Sequence, residues 1–270
     1  MNIPAAILLG VIQGLTEFLP VSSSAHLILA RLFFGWETPA DLGLAFDVAL
    51  HLGTLAAILT FFRVEILAMC RSIPELFASE PGDSGRLMRL IAVGTIPVVI
   101  VGLLFSDIIE ERMRTAAIAA GALVVGAVAM LAAERVGRGS RTEATIGWFD
   151  ALAIGCAQAS ALVPGVSRSG STIAVGMFLA MRRDAAARFT FLLAIPATLA
   201  AAGKESLELR HLALTNDLVL LFVIGIVVSG GVGYLTIKYF LRFLAGHRLD
   251  VFAYYRILLA VAAAVWLWRY

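Results

Sequence analysis

Apolar positions fall in unequal runs along this 270-residue chain, and the inequality is informative. The first run, Ile3–Leu19, stops at Pro20; Val21-Ser22-Ser23-Ser24 follows, and a second short apolar piece occupies Ala25–Gly35. Neither piece is a comfortable crossing at the roughly 20 residues a bilayer-spanning helix needs. Three runs that read as full crossings come next, near Leu44–Phe62, Leu90–Phe105 and Thr115–Ala133. After a basic stretch the order recurs. Phe149–Val163 stops at Pro164-Gly165, Gly170–Met181 resumes, and three further spans lie near Phe189–Gly203, Leu218–Phe240 and Val251–Trp268. The pattern predicts an all-α polytopic membrane protein with six spanning helices and two re-entrant broken-helix pairs.

The recurrence holds residue by residue. At an offset of 145, Gly10 matches Gly155, Gln13 matches Gln158, Val21 matches Val166, Ser22 matches Ser167 and Ser24 matches Ser169. Thr54-Leu55-Ala56-Ala57 matches Thr198-Leu199-Ala200-Ala201 at an offset of 144. Each half is then a broken pair plus three crossings. Three is odd, so the second half is expected upside down relative to the first, an inverted-topology repeat with its working site where the interruptions meet. The expected organisation is one integral membrane domain over 1–270, with repeat one at 1–134 and repeat two at 149–270.

Composition agrees. Hydrophobic residues make up 60% of the chain, charged residues 15%, and mean hydropathy is +0.93. Globular chains average about 45–50% apolar and about 25% charged. A soluble enzyme, a disordered chain, a coiled coil and a nucleic-acid module are excluded. A net charge of +2 calls for no polyanionic partner. Met1–Pro4 lacks a basic segment and no small-residue cleavage site follows, so the first apolar run is expected to belong to the folded protein. Cys70 and Cys156 form no metal spacing and are expected to be packing residues.

The placement of Lys and Arg orients the chain. With the broken pairs returning to their own side, one side carries 13 basic residues: Arg63, Arg71, Arg86, Arg89, Arg135, Arg138, Arg141, Arg182, Arg183, Arg188, Lys238, Arg242 and Arg248. The other carries 5, namely Arg112, Arg114, Lys204, Arg210 and Arg269. Arg31, Arg168 and Arg256 fall inside apolar segments and are not assigned. The richer side is expected to be cytoplasmic, with both termini outward and Trp266, Trp268 and Tyr270 as an interfacial anchor.

Irregular backbone at membrane depth is tolerated only where protein buries it or it lines a wet cavity. Two hydroxyl-rich breaks therefore predict a polar pocket. In the second, Pro164 and Gly165 stop one helix, and serines cap the next. A helix N-terminus offers free N–H groups to an anion, and Arg168 adds a planar donor fork suited to phosphate. In the first, Gln13 and Glu17 share a helix face, and Ser22, Ser23, Ser24 and His26 follow within one turn of each other. A carboxylate can hold a divalent cation, a hydroxyl or imidazole can attack, and an imidazole can move a proton. Asp47 and His51, another i,i+4 pair, are placed to line the same pocket in a supporting role. His211 and His247 are assigned no chemistry.

The segment Gln13-Gly14-Leu15-Thr16-Glu17-Phe18-Leu19-Pro20-Val21-Ser22-Ser23-Ser24-Ala25-His26, together with Pro164–Thr172, closely resembles the undecaprenyl-diphosphate phosphatases of the BacA/UppP type over essentially the whole chain. The resemblance maps the family's glutamate-rich motif onto Gln13 and Glu17, its serine and histidine onto Ser23 and His26, and its second motif onto Pro164, Gly165, Ser167, Arg168, Ser169 and Thr172. The first acidic position of the motif is Gln13 here, so a two-carboxylate metal site does not carry over. A separate lipid-phosphatase superfamily places a His six positions after its Ser-Arg arginine; that position is Ala174, which excludes its chemistry.

The resemblance implies hydrolysis of undecaprenyl diphosphate to undecaprenyl phosphate and phosphate in the bacterial inner membrane. That reaction recycles the lipid carrier for peptidoglycan synthesis and confers bacitracin resistance. It also implies a divalent cation, Mg2+ or Ca2+, with Glu17 as its ligand, and a site opening to the periplasm. Glu17, Ser23, His26 and Arg168 are then the expected catalytic set, with Ser23 or His26 attacking. Gln13, Ser22, Ser24, Gly165, Ser167, Ser169 and Thr172 are the expected substrate contacts. The other reading is a polyprenyl-phosphate transporter or flippase that binds the same head group without cleaving it. A carrier has no need of the Glu17–Ser23–His26 cluster, and oligomeric state stays open.

Overall fold

In the computed structural model, residues 2–36, 40–208 and 215–269 are described, and every regular element among them is helical. Arg210, His211 and Tyr270 lie outside the described residues. The order is α1 Ile3–Thr16, α2 Ser23–Phe34, α3 Ala40–Phe61, α4 Arg63–Arg71, α5 Asp83–Ile108, α6 Ala116–Val136, α7 Trp148–Ser160, α8 Arg168–Phe178, α9 Arg183–Glu208, α10 Asn216–Leu244 and α11 Asp250–Arg269. Among the described residues, six helices are long and apolar enough to cross a bilayer: Leu42–Phe61, Asp83–Ile108, Ala116–Val136, Arg183–Lys204, Asn216–Leu244 and Asp250–Arg269. The chain is an all-α polytopic membrane protein.

The sequence explains where the short helices stop. Asn2 caps α1, and Pro4 sits in its first turn, where a missing N–H costs nothing. Pro20 then blocks continuation. α2 starts at the Ser22 cap and ends at Gly35 in the left-handed conformation (φ 62). α8 starts at the Ser167 cap in the same manner. Ser22 (φ 73, ψ 97) and Ser167 (φ 72, ψ 114) adopt nearly the same strained backbone, uncommon for a residue other than glycine.

Packing between helices follows small residues. α1 lies along α10, where a Cβ on Gly10 would meet Val228 at 3.0 Å and one on Gly14 would meet Val232 at 2.7 Å. α7 lies along α5, and Gly155 is pressed against the backbone of Gly94. Gly10 and Gly155, matched in the sequence, thus serve the same close helix approach. α3 runs parallel to α10, with Phe46 against Phe222 and a hydrogen bond of 2.9 Å from Ser229 Oγ to the Leu50 carbonyl. α6 and α11 are antiparallel, tied by Leu249 N to Glu134 Oε1 (2.8 Å) at one end and Arg256 Nε to the Leu123 carbonyl (3.0 Å) farther along.

The largest apolar cluster joins Phe18, Phe62, Phe191 and Phe240 with residues of α5 to α9. Phe18 and Phe191 meet edge to face at 5.3 Å. Phe18 is the residue after Glu17, so the first break is anchored in this aromatic cluster. Near Arg86, the loop between α6 and α7 is clamped: its guanidinium donates to the carbonyls of Ala144 (3.0 Å) and Ile146. Arg141 forks onto Asp150 at 3.1 and 2.5 Å. Cys70 and Cys156 are free and exposed, contrary to the packing role expected of them: α4 and α7 turn those faces outward. Trp268, in the expected interfacial anchor, is 87% exposed.

Candidate functional site

The two breaks meet. Ser24 Oγ, from the first, accepts a hydrogen bond from the Gly165 backbone N–H of the second at 3.4 Å, and Ser169 Oγ donates to the Leu19 carbonyl at 3.0 Å. A cavity of about 280 Å³ lies beside them, lined by Glu17, Ser22, Ser23, Ser24, Ser167 and Arg168 from the breaks and by Asp47, His51, Arg114, Gln158 and Thr198 from the surrounding helices.

Glu17 is the hub. Its side chain is 6% exposed. Oε1 pairs with the Arg168 guanidinium. Oε2 accepts from Ser23 Oγ at 2.7 Å and from Gln13 Nε2 at 2.9 Å, with His51 Nε2 at 3.4 Å. Arg168 also donates from Nη1 to Thr198 Oγ1 at 2.8 Å. The Ser23–Glu17 distance is within the reach of a base that takes a hydroxyl proton. Oppositely charged groups in a buried site hold each other in place and leave little net charge behind.

Some expected contacts fall elsewhere. His26 does not line the cavity: Nδ1 lies 2.7 Å from its own helix's Ser22 carbonyl, Nε2 lies 2.8 Å from the Tyr255 hydroxyl, and the two rings stack at 5.6 Å. Both ring nitrogens are thereby occupied, and the imidazole faces α11 rather than Glu17. Thr172 is fully buried and donates back to the Arg168 carbonyl at 2.6 Å. Ser169 and Gly165 join the breaks to each other without lining the cavity, and Gln13 supports Glu17 from its own helix.

Asp47 and His51 line the cavity as expected, and Arg114, Thr198 and Arg256 reach the site only in three dimensions. Asp47 is held by both Arg31 and Arg114 at the cavity's edge. Arg114 follows a π-helical turn, Ile109–Met113, a distortion often found near functional sites. Arg256 is completely buried and donates to the carbonyls of Ala122, Leu123, Gly165 and Val166 at 2.9 to 3.1 Å and of Pro20 at 3.4 Å. It therefore solvates backbone from both breaks. The sequence signal was an arginine inside an apolar run, where a charge faces a cavity or finds partners.

The donors as placed form no all-protein cage for a divalent cation. Among the described residues, no three His, Cys, Asp or Glu side chains cluster as metal ligands. Both oxygens of Glu17 are engaged, one by a guanidinium, and the nearby Asp47 carboxylate is held by two more. Hard oxygen-ligated cations need several free oxygens around them.

Fold and cavity define a polytopic helical membrane protein with a carboxylate–hydroxyl–guanidinium site at the meeting of two helix breaks. The chain belongs to the family described as bacitracin resistance protein BacA, whose sequence pattern matches residues 6–262. It is similar to a protein named undecaprenyl-diphosphatase from Rubrobacter xylanophilus, 43% identical over 264 residues that cover 96% of each chain. A protein of the same name from Nitrosococcus oceani is 44% identical over 252 residues, covering 93% of this chain and 94% of that one. Undecaprenyl-diphosphatase 2 of Stutzerimonas stutzeri is 44% identical over 273 residues, covering 98% of both.

Proposed function

We propose that the chain is an inner-membrane phosphatase that hydrolyses undecaprenyl diphosphate to undecaprenyl phosphate and inorganic phosphate. The observation that carries this reading is the Ser23–Glu17 hydrogen bond of 2.7 Å beside Arg168, in a family whose relatives are named for that substrate. Arg168 binds the terminal phosphoryl group bidentately. Ser23 Oγ attacks its phosphorus; the bridging P–O bond breaks and undecaprenyl phosphate leaves. Glu17 takes the Ser23 proton. Glu17 hands that proton to the departing undecaprenyl phosphate; the restored carboxylate then deprotonates a water that attacks the phosphoserine, and the proton passes to Ser23 Oγ as phosphate leaves. Substrate that draws Arg168 toward phosphate also leaves the Glu17 carboxylate free to accept the proton. His26, with both ring nitrogens engaged, keeps Ser22 and the start of α2 in position. Ser22, Ser24 and Ser167 supply hydroxyls around the head group.

The same reading treats 1–134 and 149–270 as inverted repeats. Its support is the matched Ser22 and Ser167 caps and the matched helix pairs, α1 on α10 and α7 on α5. Opening toward the periplasm is supported by the lining: Asp47, Arg114 and Ala201 lie toward the side poor in Lys and Arg. A carrier has no need of the Ser23–Glu17 hydrogen bond, which argues for cleavage over transport. Any Mg2+ or Ca2+ is assigned to the diphosphate oxygens, with Glu17 serving as the base that accepts from Ser23.

The test is release of inorganic phosphate from undecaprenyl diphosphate by purified protein in detergent. Steady release by the native chain and its loss in Ser23→Ala supports the reading; substrate that binds without releasing phosphate contradicts it.

A further inference from the structure

The amide of Gln158 has no partner. It stands in the last turn of α7, is 1% exposed and lines the same cavity as Arg168 and Ser167. Neither its Oε1 nor its Nε2 makes a hydrogen bond. The nearby α7 and α8 hydroxyls turn to backbone instead: Ser160 Oγ and Ser171 Oγ both donate to the Ala157 carbonyl, at 2.7 and 3.0 Å. Buried amides in folded proteins are almost always paired, and one left without partners inside a polar cavity points to a ligand.

The comparison with Gln13, its match at an offset of 145, sharpens the point. Gln13 spends its amide nitrogen on Glu17 at 2.9 Å. Gln158 occupies the corresponding place in the other broken pair, but the residue four positions on is Leu162, which offers nothing to bond. One glutamine holds the carboxylate; the other faces the space the carboxylate borders.

We propose that Gln158 is a substrate-binding residue, its Nε2 donating to a non-bridging oxygen of the phosphoryl group that Arg168 and Ser167 surround. The assignment rests on the phosphatase reading and deepens it. A neutral donor suits this place: it satisfies a phosphate oxygen without competing with Arg168 for Glu17. Its partner is absent until substrate arrives, so the contact favours the bound state alone.

Gln158→Met tests this, because Met has similar length and no strong donor or acceptor. With no protein bond to lose, the variant should fold and melt at or above the native temperature in detergent. Its KM for undecaprenyl diphosphate should rise about tenfold to a hundredfold, as expected for losing one hydrogen bond to a charged group. Inorganic diphosphate should protect the native protein against thermal unfolding and protect Gln158→Met much less. Gln158→Glu, which replaces the donor with a negative charge, should be worse than Met on both readouts. A Met variant with native KM and native diphosphate protection would overturn the proposal. So would a Met variant that unfolds, because the amide would then carry native contacts. If the native protein releases no phosphate yet is protected by diphosphate in a Gln158-dependent way, the phosphatase reading fails and the contact stands.

Discussion

Replacing Arg256 with Met should damage stability and activity together, since one guanidinium serves both breaks. Its hydrogen bonds to Gly165 O (2.9 Å) and Val166 O (3.1 Å) reach carbonyls outside any helix. Hydrogen bonds to charged groups are worth about 1.5–3 kcal/mol each, so these two carry about 3–6 kcal/mol. Removing a buried cation returns part of that, because burying charge is itself costly. A net loss of about 2–4 kcal/mol is expected, which corresponds to a melting temperature about 5–15 °C lower for a chain of this size. The Pro20 carbonyl loses its contact as well, so the Ser22 and Ser167 caps both shift and phosphate release should fall further than unfolding explains. Gly126→Ala is the milder form: its Cβ would lie 2.6 Å from Arg256 Cζ, pushing the guanidinium off its carbonyls. Melting followed by tryptophan fluorescence, alongside phosphate release below the melting range, checks both effects. An Arg256→Met protein with native melting temperature and native activity would refute the idea that this arginine holds the breaks.

Three further outcomes follow from the geometry. Arg168→Lys should insert normally yet lose most of its phosphate release, because Lys keeps the charge but cannot span Glu17, Thr198 and a phosphate as a fork. Glu17→Gln should lose roughly 10²–10⁴ in rate, as for removal of a general base, and titration with Mg2+ or Ca2+ should not restore it; recovery at high cation would make Glu17 a metal ligand instead. A reporter active only in the cytoplasm, fused after Tyr270, should be silent if both termini face outward, and strong signal would overturn the orientation drawn from the 13-to-5 basic asymmetry.

The breaks were legible because proline, glycine and serine interrupt apolar runs that are otherwise uniform, and these residues act through local backbone chemistry. Glu17, Ser23 and Arg168 were legible for the same reason: ionisable or hydroxyl side chains at membrane depth need a purpose. The face that each side chain turns was not. His26 lies three residues from Ser23, but its Nδ1 binds back to the Ser22 carbonyl and its ring stacks on Tyr255, 229 positions away. Thr198, Arg114 and Arg256 reach the site or its backbone through helix pairings between distant segments, which periodicity does not specify. The metal expectation came from the family resemblance and from the carboxylate at Glu17. The sequence does not show that Glu17 spends its oxygens on Arg168, Ser23 and Gln13. Gln158 was visible as the mate of Gln13, yet only the structure separates the paired amide from the orphan.

The most direct test of the Ser23–Glu17–Arg168 arrangement is the mass of the Ser23 peptide after rapid acid quench during turnover of undecaprenyl diphosphate. The arrangement predicts a phosphoryl group on Ser23, absent in Ser23→Ala and present in a His26→Gln protein that still turns over. A phosphoryl group on His26, or turnover at the native rate by Ser23→Ala, would contradict it.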